Sequence, residues 1–160
     1  MDNAEAHLSE TTDRIGVHRT DEFTLAPTGD SILTRKILPY EGSSQRCDAM
    51  LDIFRKAEIA LTNLEVLVHD FEPAPSATSG GTYMRAPPEI LDDLEGMGFN
   101  LFSAATNHSY DYGQAGVVRT LEEVRSRDLT VAGIGETLFE ARSPAYIETS
   151  AGRIGLVSVC

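Results

Sequence analysis

The sequence predicts an α/β protein, in which the strands of a sheet alternate with helices along the chain. Apolar runs of strand length alternate with segments whose apolar residues recur at helical spacing. The connections between these segments are short, and polar clusters directly follow several of the apolar runs. Such an order favours right-handed crossovers and places ligands at the carboxyl ends of the strands.

The first change of pattern comes at Phe23. Residues 1–22 are polar and without periodicity, which predicts a disordered leader before a domain at 23–160. Phe23–Pro27 is then typical of a strand, and Thr28-Gly29-Asp30 of the turn that ends it. Asp30 is therefore predicted at the carboxyl-terminal tip of the first strand.

The central part of the chain continues the alternation. The patterns predict helices, strands and one loop in this order: helix 47–56, strand 59–65 continuing through 66–69, loop 71–82, helix 89–97, strand 101–105, helix 114–127, strand 130–132. Pro87 and Pro88 suit the start of the helix at 89–97, and Gly98 suits its end. A short helical segment near 137–141 and a hairpin of 145–148 with 153–159 complete the pattern.

Composition excludes some classes of function. The 25 acidic and 13 basic residues give a formal charge of −12, and only two residues are lysines. This negative field repels phosphate backbones, so no nucleic-acid partner is expected, and it suits a halophilic source. No apolar run approaches the roughly 20 residues of a membrane span, and the start has no signal-peptide core, which favours a cytoplasmic location.

Three predicted strands bring metal-binding residue types to the same edge of the sheet. Asp30 follows the first strand, Asn63 and Glu65 the second, and an Asn107-His108-x-x-Asp111 run the third. Carboxylate and amide oxygens suit Mn²⁺, Mg²⁺ or Zn²⁺, and a histidine can act as ligand or general acid. The alternatives are a turn or N-cap role for Asp30 and a solvated charge for Glu65, while His69 is interpreted as a surface strand residue.

Six short motifs resemble, in order and spacing, those of the CapA-type family of poly-γ-glutamate capsule biosynthesis proteins. They are Thr28-Gly29-Asp30, Asn63-Leu64-Glu65, Arg85-Ala86-Pro87, Gly98-Phe99-Asn100, the run 106–113 and Gly133-Ile134-Gly135. The resemblance covers about 23–160. It implies a calcineurin-like metallophosphatase fold, a β-sandwich flanked by helices (αββα), of which this chain is the N-terminal half.

The resemblance also implies roles for single residues. In the dinuclear metal site of this superfamily, Asp30 would bind the first metal, Glu65 would stand where a bridging carboxylate normally sits, and Asn107 would bind the second metal. The divalent ions would be Mn, Mg, Zn or Fe. His108 would be the general acid or contact phosphate, and Asp111 would orient it. Arg85 would contact an anionic substrate, either an anionic polymer or a phosphoester. The alternative for Arg85 is an ordinary surface arginine.

The chain departs from the superfamily pattern at two blocks and lacks a third. Ile32 stands where a histidine is usual, Asn63-Leu64-Glu65 replaces a Gly-Asp block, and no Gly-His-x-Pro-His block follows. A missing C-terminal half, or a second chain, is expected to complete the fold, and this chain alone is expected to be inactive. The alternatives are a non-catalytic component that binds an anionic polymer, and an inactive truncated fragment. Members of the family are often anchored outside the membrane.

Overall fold

A computed structural model of the chain describes residues 22–38, 45–79 and 81–160, with only the backbone of Gln45. The predicted disordered leader, residues 1–22, lies outside the described residues except for Glu22. The strands are β1 (Leu25–Ser31), β2 (Ile59–Leu64), β3 (Leu67–Val68), β4 (Arg85–Ala86), β5 (Leu101–Ser103), β6 (Thr130–Ala132), β7 (Ala145–Thr149) and β8 (Gly152–Leu156). The helices are α1 (Gln45–Lys56), α2 (Ile90–Met97), α3 (Gly113–Ser126) and α4 (Leu138–Ala141).

The main sheet has four parallel strands in the order β1-β2-β5-β6. Strands β3 and β4 form a short parallel pair, and β7 and β8 form an antiparallel hairpin. The α/β class and the C-terminal hairpin are thereby confirmed, whereas a two-sheet sandwich flanked by helices stays a prediction. In the described part of the chain, no helix is both long enough and apolar enough to cross a bilayer.

Strand β1 extends further than its sequence predicts. The turn predicted at Thr28-Gly29-Asp30 is wrong, because these residues lie inside the strand and Asp30 pairs with Asn63 of β2. The register shifts between Pro27 and Asp30, which is the mark of a β-bulge. Hydrogen bonds from Thr28 Oγ1 to the Leu61 carbonyl and from Thr62 Oγ1 to the Gly29 carbonyl hold this irregular stretch against β2. Pairing with β2 thus overrides the local preference for a turn.

The core lies between the sheet and two of the helices. Helix α2 buries Ile90, Leu91 and Leu94, and helix α3 buries an apolar stripe that includes Leu121 and Val124. Helix α1 is less covered than its apolar stripe predicts. Its Phe54 packs on Phe99 with ring centroids 4.8 Å apart, but Met50 remains 49% exposed.

Asp93 fixes the segment that follows β1. Its side chain is 2% exposed, and its Oδ2 accepts hydrogen bonds from the backbone N–H groups of Ile37 and Leu38, the second at 2.8 Å. Asp93→Ala would leave two N–H groups without this acceptor, and we expect it to lower the free energy of unfolding by about 2–3 kcal/mol. Urea denaturation measures the change.

The neighbouring Asp92 provides the matched control for this measurement. Its carboxylate is half-exposed and pairs with Arg127 at 2.7 Å. Exposed ion pairs contribute little, so we expect Asp92→Ala to change the free energy of unfolding by at most about 1 kcal/mol. Equal losses in the two variants would show that Asp93 does not anchor the 37–38 backbone.

Candidate metal centre

The carboxyl ends of β1 and β2 bring two of the predicted ligands to one edge of the sheet. Asp30 is exposed, and its Oδ1 accepts a hydrogen bond from Asn63 Nδ2 at 2.8 Å. Glu65 follows directly after β2. Asn63 therefore fixes the Asp30 carboxylate on the side of the edge where β2 ends.

Glu65 is buried, with 7% of its surface exposed, so the alternative of a solvated charge is wrong. Burial raises its pKa, and the negative charge of Asp30 raises it further. The charge of His108 and a hydrogen bond with Thr106 act in the opposite direction. Asp30 and His108 thus act electrostatically on Glu65, although the three residues come from separate segments of the chain.

His108 is held by Asp111 through a hydrogen bond of 2.8 Å between Nδ1 and Oδ2. The Asp111 side chain is 4% exposed and also accepts the Met84 backbone N–H at 2.6 Å. Because an ionised carboxylate only accepts hydrogen bonds, the proton of the neutral imidazole must sit on Nδ1. The lone pair of His108 Nε2 is therefore left for a ligand or a proton.

The loop that carries Asn107 and His108 is closed by its own hydroxyl groups. Ser109 Oγ accepts the Thr106 N–H at 2.7 Å and lies 2.6 Å from the Ala104 carbonyl, to which it donates. Thr106 Oγ1 accepts the His108 N–H at 3.1 Å. These bonds fix the backbone on both sides of Asn107, whose side chain is exposed. No local sequence pattern singles out Thr106 or Ser109 individually.

Ser158 supports the same loop from a distant part of the chain. Its Oγ accepts the Ala105 N–H at 3.1 Å and lies 2.8 Å from Ser103 Oγ, at the end of β5. The prediction that the last strand continues to Val159 is wrong, because β8 ends at Leu156. Ser158 lies beyond the end of β8 and contacts Ser103 of β5. Nothing in the local apolar pattern predicts this contact.

The Arg85 side chain contacts the segment that follows β3. Its Nη1 donates to the His69 carbonyl at 2.8 Å, and its guanidinium carbon lies 3.1 Å from the centre of the Phe71 ring. Contact with an anionic substrate stays a prediction for this residue.

His69 is fully buried, which corrects its interpretation as a surface strand residue. Its Nδ1 accepts the Phe71 N–H at 3.1 Å, its ring packs on Tyr112, and its Nε2 has no hydrogen-bond partner among the described residues. Burial, followed by the positive charge of Arg85, lowers the pKa of His69 below its ordinary value of 6.5.

Acidification below about pH 6.5 is expected to destabilise the fold through His69. The unfolded chain takes up the proton at the ordinary pKa, whereas the folded chain resists it until the lowered pKa is reached. Stability is therefore full above the ordinary pKa, falls as the pH drops between the two values, and is constant below the lowered one. The charges of Asp70 and Glu72 raise the pKa of His69 and the charge of Arg119 lowers it, so these three groups modify the size of the shift.

His69→Asn tests this dependence, because the asparagine oxygen can still accept the Phe71 N–H but does not titrate. Urea denaturation of both proteins between about pH 8 and about pH 5 should show a smaller loss of stability in the variant. Identical pH dependence in the two proteins would exclude His69 as the source.

Most of the candidate metal ligands at the sheet edge are oxygen atoms rather than imidazole nitrogens or thiolates. No group of three or more His, Cys, Asp and Glu side chains in 22–38, 45–79 and 81–160 is arranged to hold a metal ion. The candidate ligands on this side of the sheet are the carboxylates of Asp30 and Glu65, the Nε2 of His108 and the amide of Asn107, which is exposed. Such oxygen-rich sets suit hard divalent cations.

The family profile described as "Bacterial capsule synthesis protein PGA_cap" matches residues 24–160. The match covers nearly all of the residues that the structure describes, including the parallel sheet and its acidic strand ends. The chain belongs to this bacterial capsule synthesis protein family, which confirms the CapA-type resemblance of its motifs.

Three curated relatives extend the comparison. The chain is 34% identical over 141 residues to the uncharacterized proteins y4sH and y4uA of Sinorhizobium fredii (strain NBRC 101917 / NGR234), covering 86% of this chain and 30% of each relative. It is 24% identical over 134 residues to the PGA biosynthesis protein CapA of Bacillus subtilis (strain 168), covering 82% of this chain and 35% of that protein. The chain therefore spans about a third of the length of the relatives it matches.

Proposed function

We propose that this chain contributes a divalent-metal site to a hydrolase that cleaves a phosphoester or related bond in the synthesis or processing of a cell-surface polymer. The observation that carries the proposal is the buried Glu65 carboxylate directly after β2, whose pKa is raised by burial and by the charge of Asp30. Membership of the capsule synthesis family and the likeness to a PGA biosynthesis protein support the link to a surface polymer.

The oxygen atoms of Asp30, Glu65 and Asn107 are of the kind that a hard divalent cation prefers. Two carboxylates placed close together repel each other, and burial of Glu65 makes that repulsion more costly. A cation held by Asp30, Glu65 and the Asn107 amide oxygen relieves the repulsion. Such an ion supplies Lewis-acid activation of the bond and of a water molecule.

His108 is the residue that moves a proton in this proposal. With Nδ1–H bound to Asp111, Nε2 faces away from that carboxylate and is the atom that gains or gives the proton. Asp111 stabilises the imidazolium that forms when Nε2 is protonated, and it keeps the ring in one orientation. His108 would donate this proton to the oxygen that leaves when the bond breaks.

Calorimetric titration of Mn²⁺ into the whole chain tests the proposal. We expect saturable binding of one ion by the natural chain and at least a tenfold weaker affinity in Asn107→Ala, roughly the scale reported for metal-site substitutions. Gln114→Ala removes an exposed amide whose Nε2 bonds the Glu136 carbonyl, and it should bind as the natural chain does.

Two outcomes would count against the metal site. An absence of saturable binding would refute it and would favour the non-catalytic component that holds a polymer without metal. Binding that is equally strong in the natural chain and in Asn107→Ala would remove Asn107 from the ligand set.

A further inference from the structure

An apolar pocket of about 380 Å³ adjoins the acidic edge of the sheet. Asp30 and Ser31 of β1 line the pocket where it meets this edge. The lining also includes the side chains of Ile32, Leu33, Met50, Leu51, Leu94 and Met97. The pocket thus shares Asp30 with the proposed metal site.

Three segments build the wall of this pocket. They are the chain that leaves β1, helix α1 and helix α2. Asp93 of α2 binds the backbone N–H groups of Ile37 and Leu38, so the segment after β1 is tied to the helix. The pocket is therefore shaped by hydrogen bonds that do not depend on a ligand.

Two apolar side chains of the pocket remain in contact with solvent. Ile32 is 50% exposed and Met50 is 49% exposed, and they lie on two different segments of the wall. Covering exposed aliphatic surface is favourable in proportion to its area. A ligand in the pocket would therefore gain affinity from an aliphatic part, since among the described residues the lining is mostly aliphatic and contains no basic residue.

We propose that the pocket holds the aliphatic chain of an amphiphilic phosphoester substrate whose phosphate lies at the acidic edge. The inference rests on the proposed metal site, because carboxylates at that edge attract a phosphate only through a bound cation. Asp30 belongs to both the pocket and the edge, so a single molecule can occupy the two together. The substrate class is therefore an alkyl or prenyl phosphoester.

Binding of decyl phosphate and butyl phosphate to the whole chain, each with Mn²⁺ present and below micelle-forming concentrations, tests the proposal. The decyl compound has six more methylene groups than the butyl compound. If the pocket supplies half of the free energy of transferring them out of water, the decyl compound should bind roughly 50-fold more tightly. The double variant Ile32→Gln with Met50→Gln should lose most of this difference and bind butyl phosphate unchanged. Ile53→Gln is the matched control, since Ile53 is an exposed α1 residue that does not line the pocket.

Decyl glucoside separates the pocket from the metal site, because its uncharged head needs no cation. If the double variant weakened the binding of decyl glucoside, the pocket would be supported. If the alkyl phosphates also bound equally well with and without Mn²⁺, the metal site and the phosphoester class would be refuted. Equal affinity for the decyl and butyl phosphates would overturn the proposal. A second copy of the chain in the pocket would also overturn it. In that case decyl compounds would not bind, and light scattering would show a dimer for the natural chain and a monomer for the double variant.

Discussion

Replacing Glu65 by glutamine is expected to lower the affinity of the chain for Mn²⁺ by at least about 100-fold, since it removes a charged ligand rather than an outer-shell partner. The same change should raise stability at neutral pH. The raised pKa of Glu65 means that its ionised form is disfavoured in the folded chain, and an amide removes that charge beside Asp30. Calorimetric titration and urea denaturation at pH 7 measure the two effects.

Opposite changes in binding and stability are the signature of a carboxylate kept for a ligand. Glu148→Gln is the control, because this exposed glutamate of β7 pairs with Arg153 and lies outside the proposed ligand set. It should leave Mn²⁺ affinity unchanged. If Glu65→Gln lost stability and kept Mn²⁺ affinity, Glu65 would have a structural role only.

Replacing Gly133 by alanine is expected to cost about 3 kcal/mol or more in the free energy of unfolding, through backbone strain and overpacking together. Its φ is +102°, and an added Cβ would lie 2.6 Å from both the Ala105 nitrogen and Ser158 Oγ. Those two atoms share a hydrogen bond that supports the loop before Asn107. We therefore expect weaker Mn²⁺ binding as well, measured on the fraction that stays folded.

Gly152→Ala separates strain from collision. Gly152 has a φ of +116°, but nothing lies within 4 Å of an added Cβ. This control should cost only the strain of a left-handed residue, about 1–2 kcal/mol, and should leave Mn²⁺ affinity unchanged. An equal loss of stability in the two variants would mean that the contact with Ala105 and Ser158 relaxes freely.

The helices could be predicted from the sequence because their signals are local. Helix α3, predicted at 114–127, is found at Gly113–Ser126, and α2, predicted at 89–97, is found at Ile90–Met97. Apolar spacing places both segments, and Gly98 also marks the end of α2. The parallel sheet follows from the same alternation of strands and helices.

The site was harder to predict because several of its contacts join residues far apart in the sequence. The pairing of Asp30 with Asn63 depends on a bulge that only β2 imposes. The hydrogen bond between Ala105 and Ser158 joins residues 53 positions apart, and no periodic pattern in the sequence predicts it. The burial of His69 is also set by tertiary packing, since its ring lies on Tyr112.

A crystal of the whole chain grown with Mn²⁺, and measured for anomalous scattering at the manganese edge, would locate the proposed ion. We expect one strong anomalous peak about 2.0–2.5 Å from carboxylate oxygens of both Asp30 and Glu65, with the Asn107 amide oxygen in the same coordination shell. A peak bound only to other carboxylates, or no peak at saturating Mn²⁺, would contradict it.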